Sequence, residues 1–158
     1  MDENIKKLVE ILTNKNQTIS TMESCTGGAL ASAITNAQGS SLIFKFGAVT
    51  YSNEFKIKMG VPEETIKKYS VYSKETAIEM SKKIQAFTNS DFAIGITGKI
   101  NSPDPNNKFG NDNEIFISIF QKETNTCETI FLKVEEKPRE EVKNEIVNIT
   151  IKKLLELL

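Results

Sequence analysis

The sequence predicts a three-layer α/β/α protein, a single domain over residues 1–158 that is built around a mixed β-sheet. The chain has 158 residues, of which 39% are hydrophobic and 26% charged, as in one globular domain. Helix-like and strand-like patterns alternate up to about residue 97, which is typical of α/β proteins. Two later strand-like segments have no helix between them and should pair antiparallel, so the sheet should contain both strand orientations.

The first half of the chain should supply most of the helices. Residues 3–13 place four aliphatic side chains on one helical stripe, and Ser73 has the position of an N-cap. Pro62 is suited to the first turn of a helix, because it has no N–H group to leave unpaired. The expected elements are a helix at 3–13, a strand at 18–22, a helix at 28–35, a strand at 46–51, a helical turn at 53–58 and helices at 62–69 and 73–87.

The second half should complete the sheet and cover it. Residues 91–97 form a short apolar run that indicates a central strand. Residues 114–120 and 128–134 read as a hairpin, and Pro138 should open a last helix that continues nearly to Leu158. Several phenylalanines are expected in the core, namely Phe44, Phe46, Phe87, Phe116, Phe120 and Phe131.

Composition excludes several classes of function. The net charge is -1, from 20 basic and 21 acidic residues, so no strong field draws the chain to nucleic acid or to a membrane surface. No apolar run approaches the roughly 18 residues that span a bilayer. The two cysteines, Cys25 and Cys127, lie far apart with no CxxC pair, which favours reduced thiols and a cytoplasmic protein.

The absence of histidine restricts the chemistry further. With no histidine in the chain, Ser–His–Asp and Cys–His sites are excluded, as is HExxH zinc chemistry. Any acid–base group must therefore be lysine, aspartate, glutamate, tyrosine or cysteine. Cys25 is a weak candidate nucleophile, because no base stands beside it in the sequence.

The segment ESCTGG, residues 23–28, has two interpretations. It lies between an expected strand and an expected helix, where backbone N–H groups can hold an anion. The hydroxyls of Ser24 and Thr26 and the amides of Gly27 and Gly28 could then bind a substrate phosphate. Alternatively, the segment only caps the helix and allows close packing of small residues.

A second candidate site lies between residues 39 and 56. Without histidine, a nucleophilic serine such as Ser41 would need a lysine as its base, and Lys56 follows at the end of the next segment. To act near neutral pH the amine would need a pKa roughly 3 units below its ordinary value, or about 4 kcal/mol of burial and charge effects. The alternative is that Ser41 caps a helix and Lys56 is a solvated surface charge.

Four segments together resemble the CinA C-terminal domain family. They are ESCTGG at 23–28, YSNEFK at 51–56, GVPEET at 60–65 and AIGITG at 93–98, in the family's order and spacing. The resemblance extends over nearly the whole chain. It implies hydrolysis of the carboxamide of nicotinamide mononucleotide to nicotinate mononucleotide and ammonia, without a metal or other cofactor. The expected partner is this small mononucleotide, and the resemblance also allows a homo-oligomer.

The resemblance also implies roles for individual residues. Ser41 matches the nucleophile, Lys56 the general base and Tyr51 a tyrosine that assists proton transfer. Residues matching the substrate site are Ser24, Thr26 and Thr97, with Arg139 matching an arginine that helps to bind the phosphate.

The segment 99–114 departs from the family pattern. A glycine-rich stretch is replaced by KINSPDP at 99–105, and Lys143 stands where the family has a second arginine. Aspartate and proline cannot adopt the backbone angles that glycine can, so this wall of the site should differ. Two alternatives follow, a non-catalytic binding protein on the same fold and an amidase for another small carboxamide.

Overall fold

The computed structural model describes residues 2–101 and 104–158. Over these residues the chain forms a five-stranded sheet with helices on both faces. The strands are β1 (Ile19–Glu23), β2 (Phe44–Val49), β3 (Phe92–Gly98), β4 (Glu114–Gln121) and β5 (Thr126–Lys133). The helices are α1 (Asp2–Asn14), α2 (Ala29–Thr35), α3 (Asn53–Lys58), α4 (Glu63–Tyr69), α5 (Lys74–Thr88) and α6 (Arg139–Leu157), with a short 3-10 helix at Ser40–Leu42.

The sheet is mixed, as the sequence predicts. Its strand order is β2-β1-β3-β4-β5. The strands β2, β1 and β3 run parallel, whereas β3 with β4 and β4 with β5 pair antiparallel. Glu23 at the end of β1 pairs with Val49 on one side and Ile96 on the other, so the three parallel strands end at one edge.

Two apolar clusters make the three layers. On one face α1, α2 and α6 pack on the sheet through residues such as Leu8, Leu30 and Ile146. On the other face α5 packs on β1 and β3 through Met80 and Ile84. The predicted three-layer α/β/α architecture is therefore confirmed. No helix in the described part of the chain combines the length and apolarity needed to cross a bilayer.

Helix α5 comes unusually close to the sheet at Gly95. A Cβ atom at this position would lie 2.4 Å from the carbonyl oxygen of Ala77 and 2.7 Å from the amide nitrogen of Ser81. Only a residue without a side chain permits this approach of two backbones. The helix starts as predicted, because the Ser73 hydroxyl accepts a hydrogen bond from the Thr76 amide at 3.1 Å.

Three aromatic residues expected in the core lie at its margins instead. Phe46 and Phe87 are 38% and 66% exposed, and their ring centroids are 5.1 Å apart. Phe131 is 56% exposed. For Phe46 and Phe131 the physical reason is that β2 and β5 are the two edge strands of the sheet, which the hydrophobic pattern of each strand cannot reveal. Phe87, near the end of α5, packs against the ring of Phe46.

Candidate active site

A cavity of about 590 Å³ opens at the edge where the three parallel strands end. Ligands of open α/β sheets bind at this edge, outside the carboxyl ends of the strands. Each parallel strand supplies part of the cavity through the residues that follow it. The lining residues are Ser24, Cys25, Tyr51, Ser52, Asn53, Tyr72, Gly98, Lys99, Ile100, Asp104, Pro105, Asn106, Asn107 and Arg139.

Glu23 anchors the turn that carries Ser24. Its buried carboxylate accepts hydrogen bonds from the Thr26 hydroxyl at 2.7 Å and from the amides of Leu30 and Ala31 at 3.0 and 2.9 Å. A negative side chain thus occupies the positive end of α2, where the sequence allowed an anion site. The capping alternative is therefore the better description of this motif in the structure.

The other residues of the predicted phosphate cradle lie outside the cavity wall. Thr26 is buried and its hydroxyl donates to Glu23. Gly27 and Gly28 have φ angles of 61° and 92°, left-handed values that let the chain turn from β1 into α2. Neither glycine lines the cavity, so the structure gives them a role in the turn.

Lys56 and Ser24 form the central contact of the site. The Lys56 Nζ atom lies 2.9 Å from Ser24 Oγ and donates to the Thr50 carbonyl at 2.7 Å. Only 2% of Lys56 is exposed, whereas Ser24 lines the cavity. The Lys56 side chain therefore reaches Ser24 from the protein interior, whereas the cavity lies on the other side of the serine. Helix α3 fixes its position, because the Ser52 hydroxyl caps this helix by accepting from the Phe55 amide at 3.3 Å.

Burial lowers the pKa of Lys56 from 10.5 to about 8. Removal from water disfavours the charged ammonium, and no carboxylate in the described residues forms an ion pair with it. At pH 8 about half of the amine is uncharged, and at pH 7 about one tenth. An uncharged amine at this position can accept the proton of the Ser24 hydroxyl.

The expected contact between Ser41 and Lys56 is wrong. Ser41 is exposed in the 3-10 helix, its carbonyl accepts from the Lys45 ammonium at 2.7 Å, and it does not line the cavity. The reason is topological. Ser41 precedes β2 and Lys56 follows it, so the six residues of this strand, roughly 20 Å, separate them.

Tyr51 and Arg139 meet at the mouth of the cavity. The Arg139 guanidinium donates to the Tyr51 hydroxyl at 3.2 Å and to the Ile100 carbonyl. Tyr51 is 63% exposed and Arg139 is also exposed, so this pair faces solvent at the mouth. The structure thus brings two predicted site residues together although 88 positions separate them in the sequence.

Thr97 and Cys25 have structural surroundings. The buried Thr97 hydroxyl donates to the Val71 carbonyl at 2.9 Å and lies outside the cavity wall. Cys25 lines the cavity, but burial raises the pKa of its thiol from 9.0 to about 12. A thiol with so high a pKa is a poor nucleophile near neutral pH.

The segment that departs from the family pattern forms the opposite wall of the cavity. Asp104 accepts hydrogen bonds from the Tyr72 hydroxyl at 2.6 Å, the Asn107 side-chain amide at 2.7 Å and the Asn106 backbone amide at 2.9 Å. Asn107 in turn accepts from the Asn53 side-chain amide at 2.7 Å, which ties this wall to the start of α3. Ser102 and Pro103 of the same segment lie outside the described residues.

The sequence predicted that the segment 99–114 forms an altered wall of the site, but it gave no individual role to Asp104 or Asn107 and missed Tyr72. A signal for the segment was available, because it follows the carboxyl end of the apolar strand at 91–97, where open α/β sheets bind their ligands. The described residues contain no cluster of three histidine, cysteine, aspartate or glutamate side chains suited to hold a metal ion.

Comparison with known proteins agrees with this architecture. The family model described as "CinA C-terminal domain" matches residues 2–158. The chain belongs to the CinA C-terminal domain family. Among curated relatives, a CinA-like protein of Endomicrobium trichonymphae is 48% identical over 89 residues, which are 56% of this chain and 21% of that protein. A CinA-like protein of Flavobacterium psychrophilum is 44% identical over 115 residues, 71% of this chain and 27% of that protein.

The matched part of the chain thus spans about a fifth to a quarter of the length of these curated relatives. Solved structures of the CinA type match the whole fold. A competence/damage inducible protein from Agrobacterium tumefaciens superposes with a TM-score of 0.88 at 26% identity, covering 99% of this chain and 94% of that chain. A competence or damage-inducible protein from Enterobacter asburiae gives 0.90 at 25% identity, covering 99% and 96%.

Proposed function

We propose that this CinA-domain protein hydrolyses the carboxamide of nicotinamide mononucleotide to nicotinate mononucleotide and ammonia, with Ser24 as nucleophile and Lys56 as its base. One observation carries the proposal. The Lys56 Nζ atom lies 2.9 Å from Ser24 Oγ, and this serine lines a cavity at the carboxyl edge of the sheet. A serine beside a buried lysine with a lowered pKa is an arrangement that activates a hydroxyl without histidine.

The reaction proceeds through an acyl-enzyme. The uncharged Lys56 amine takes the Ser24 proton while Oγ forms a bond to the carboxamide carbon, and the carbonyl oxygen gains the negative charge. When the tetrahedral intermediate collapses, the C–N bond breaks and the Lys56 ammonium returns the proton to the leaving nitrogen, which departs as ammonia. Water then attacks the ester carbon while the Lys56 amine accepts its proton. The bond between this carbon and Ser24 Oγ breaks, the Lys56 ammonium returns the proton to Oγ, and the acid product leaves.

Arg139 and Tyr51 bind the substrate at the mouth. Arg139 presents a guanidinium suited to a phosphate group, and Tyr51 adds a hydroxyl beside it. The cavity volume of about 590 Å³ lies in the range of pockets that bury a ligand the size of a mononucleotide. In this arrangement the phosphate lies at the rim and the carboxamide reaches inward to Ser24.

The test is a direct assay of purified protein with nicotinamide mononucleotide, measuring ammonia and the acid product together. Ser24→Ala should lower kcat about 10³-fold or more, since it removes the attacking atom. Ser41→Ala is the matched control, a serine outside the cavity, and should keep wild-type turnover. The rate should rise with pH through an apparent pKa near 8, because the uncharged Lys56 amine is the active form.

Each other outcome has a definite meaning. Unchanged turnover in Ser24→Ala, or loss of turnover in Ser41→Ala alone, would reject the assignment of the nucleophile. Tight binding of the mononucleotide with no hydrolysis by the wild-type protein would instead favour a non-catalytic binding protein. Turnover of a different amide from a panel of small carboxamides would keep the chemistry and change the substrate.

A further inference from the structure

We propose that Asp104 selects the oxidised, positively charged ring of a pyridine nucleotide over its reduced, uncharged form. This inference rests on the proposed function, because that function names a pyridine nucleotide as the ligand. Asp104 belongs to the cavity wall formed by the segment that departs from the family pattern. We infer that this wall distinguishes the oxidised from the reduced form of the same nucleotide.

Asp104 brings a negative charge to the cavity that no cation neutralises directly. Its three hydrogen-bond donors, from Tyr72, Asn106 and Asn107, are all uncharged groups. Among the described residues it forms no ion pair. Partial burial opposes its ionisation, but the hydrogen bonds from Tyr72, Asn107 and the Asn106 amide, together with the Lys99 charge, outweigh burial and lower the pKa of the carboxyl group. The group is therefore an anion at neutral pH.

The Lys99 ammonium of this wall favours the ionised form of Asp104 through its charge, but its direct contacts are with other groups. The Lys99 ammonium donates to the Gly110 carbonyl at 3.1 Å and lies 3.9 Å from the Asp112 carboxylate. It also lies 5.3 Å from the centre of the Tyr72 ring, so a face of this aromatic ring already accommodates a positive charge. The feature of this wall that attracts a cationic ring is therefore the Asp104 carboxylate, which lines the cavity.

The position of the carboxylate is fixed from two directions. Tyr72 holds it from the segment before α5, and Asn107 holds it while bonded to Asn53 at the start of α3. Helix α3 also carries Lys56, the base behind Ser24. Because Ser24 and Asp104 line the same cavity, a ring whose carboxamide reaches Ser24 lies in the cavity that contains the Asp104 carboxylate.

The cavity has the opposite charge at its rim. Arg139 donates to the Ile100 carbonyl and the Tyr51 hydroxyl, and it has no carboxylate partner among the described residues. A ligand with an anionic group at one end and a cationic ring at the other matches this distribution. The oxidised mononucleotide has both charges, whereas the reduced form keeps the phosphate and loses the ring charge.

The test measures binding of the oxidised and reduced mononucleotide to the Ser24→Ala protein by calorimetry, so that no hydrolysis intervenes. The readout is the ratio of the two dissociation constants, in which the shared phosphate contact cancels. Asp104→Asn keeps the shape and removes the charge, and we expect it to reduce the preference for the oxidised form about fivefold or more. Asp112→Asn, in the same segment but 55% exposed and paired with Lys99, is the matched control and should keep the preference.

An unchanged ratio in Asp104→Asn would overturn the inference. If both ligands are weakened by the same factor, the ratio is unchanged, which would mean that Asp104 only supports the loop. If Asp104→Asn does not fold, the same ratio is measured in the Ser24→Ala protein at increasing salt concentrations. A preference that is electrostatic must shrink as salt rises, and a preference that is independent of salt would overturn the inference. The proposed function fails if the wild-type protein does not hydrolyse the mononucleotide. That result is separate from this test, because the ratio of dissociation constants can still be measured.

Discussion

Replacing Lys56 by methionine tests the physical basis of the site without any assay of activity. Methionine fills a similar volume but cannot carry the proton whose pKa burial lowers from 10.5 to about 8. Lys58→Met is the matched control, because this lysine lies on the same helix α3 but its side chain is 59% exposed. The comparison isolates the titration of one buried amine from the other effects of pH on stability.

The sign of the effect follows from proton counting. Between pH 8 and 10.5 the unfolded chain keeps a proton on Lys56 that the folded protein has lost, so the free energy of unfolding rises with pH in this window. Below pH 8 both states are protonated, and the cost of the buried ammonium is fully present. Above pH 10.5 both are neutral, and the cost is absent.

The magnitude follows from the two pKa values. The full cost of the depressed pKa is about 3.4 kcal/mol, and about 2 kcal/mol of it disappears between roughly pH 7 and pH 9.5. Lys56→Met lacks this titration, so its stability relative to wild type should fall by about 2 kcal/mol over the same interval. In a chain of this size the difference corresponds to about 4–8 °C in Tm.

Chemical denaturation at both pH values measures the effect. The absolute stability of Lys56→Met at neutral pH also contains the lost hydrogen bonds to Ser24 and Thr50, so only the change with pH is diagnostic. Lys58→Met should follow the wild-type profile. If Lys56→Met and wild type gave parallel profiles, Lys56 would have an ordinary pKa and its use as a base near neutral pH would lose its physical support.

Three further predictions concern the frame of the site. Gly95→Ala should lower the free energy of unfolding by about 2–3 kcal/mol in urea denaturation, because the added methyl group would meet the backbone of α5. Glu23→Gln should lower the free energy of unfolding by about 1–3 kcal/mol, since a side-chain amide cannot accept at both positions of the α2 cap. Thr26→Val removes one donor only and should lower it by less. The reverse order would contradict this description of the cap. In native protein a maleimide should modify Cys127 faster than Cys25, because burial raises the Cys25 pKa, and mass spectrometry of the labelled peptides would show the order.

The fold could be predicted because the patterns that specify its helices and strands lie within short segments of the sequence. The switch from alternating helices and strands to two consecutive strands after residue 113 predicts the mixed sheet, and the structure confirms it. Capping residues fixed the helix starts, as at Ser73. The order of strands in the sheet is not local, and this is why Phe46 and Phe131 were expected in the core although they belong to edge strands.

The partner of Lys56 could not be taken from proximity in sequence. Ser41 is only fifteen positions away, but β2 lies between the two residues, so they are at opposite ends of this strand. Ser24 is 32 positions away, yet it directly follows β1, a parallel neighbour of that strand, and contacts the lysine. The rule that parallel strands end together would have favoured Ser24, had the pairing of residues 19–23 with 44–49 been known.

The concealment of Lys56 behind Ser24 makes this lysine a reporter of local opening. Reagents that acylate amines can reach the many surface lysines directly, but they can reach this one only when the turn after β1 or helix α3 separates from the sheet. Its acylation rate therefore measures how often this edge of the protein opens. A ligand that seats against Ser24 should slow that rate while leaving the surface amines unchanged.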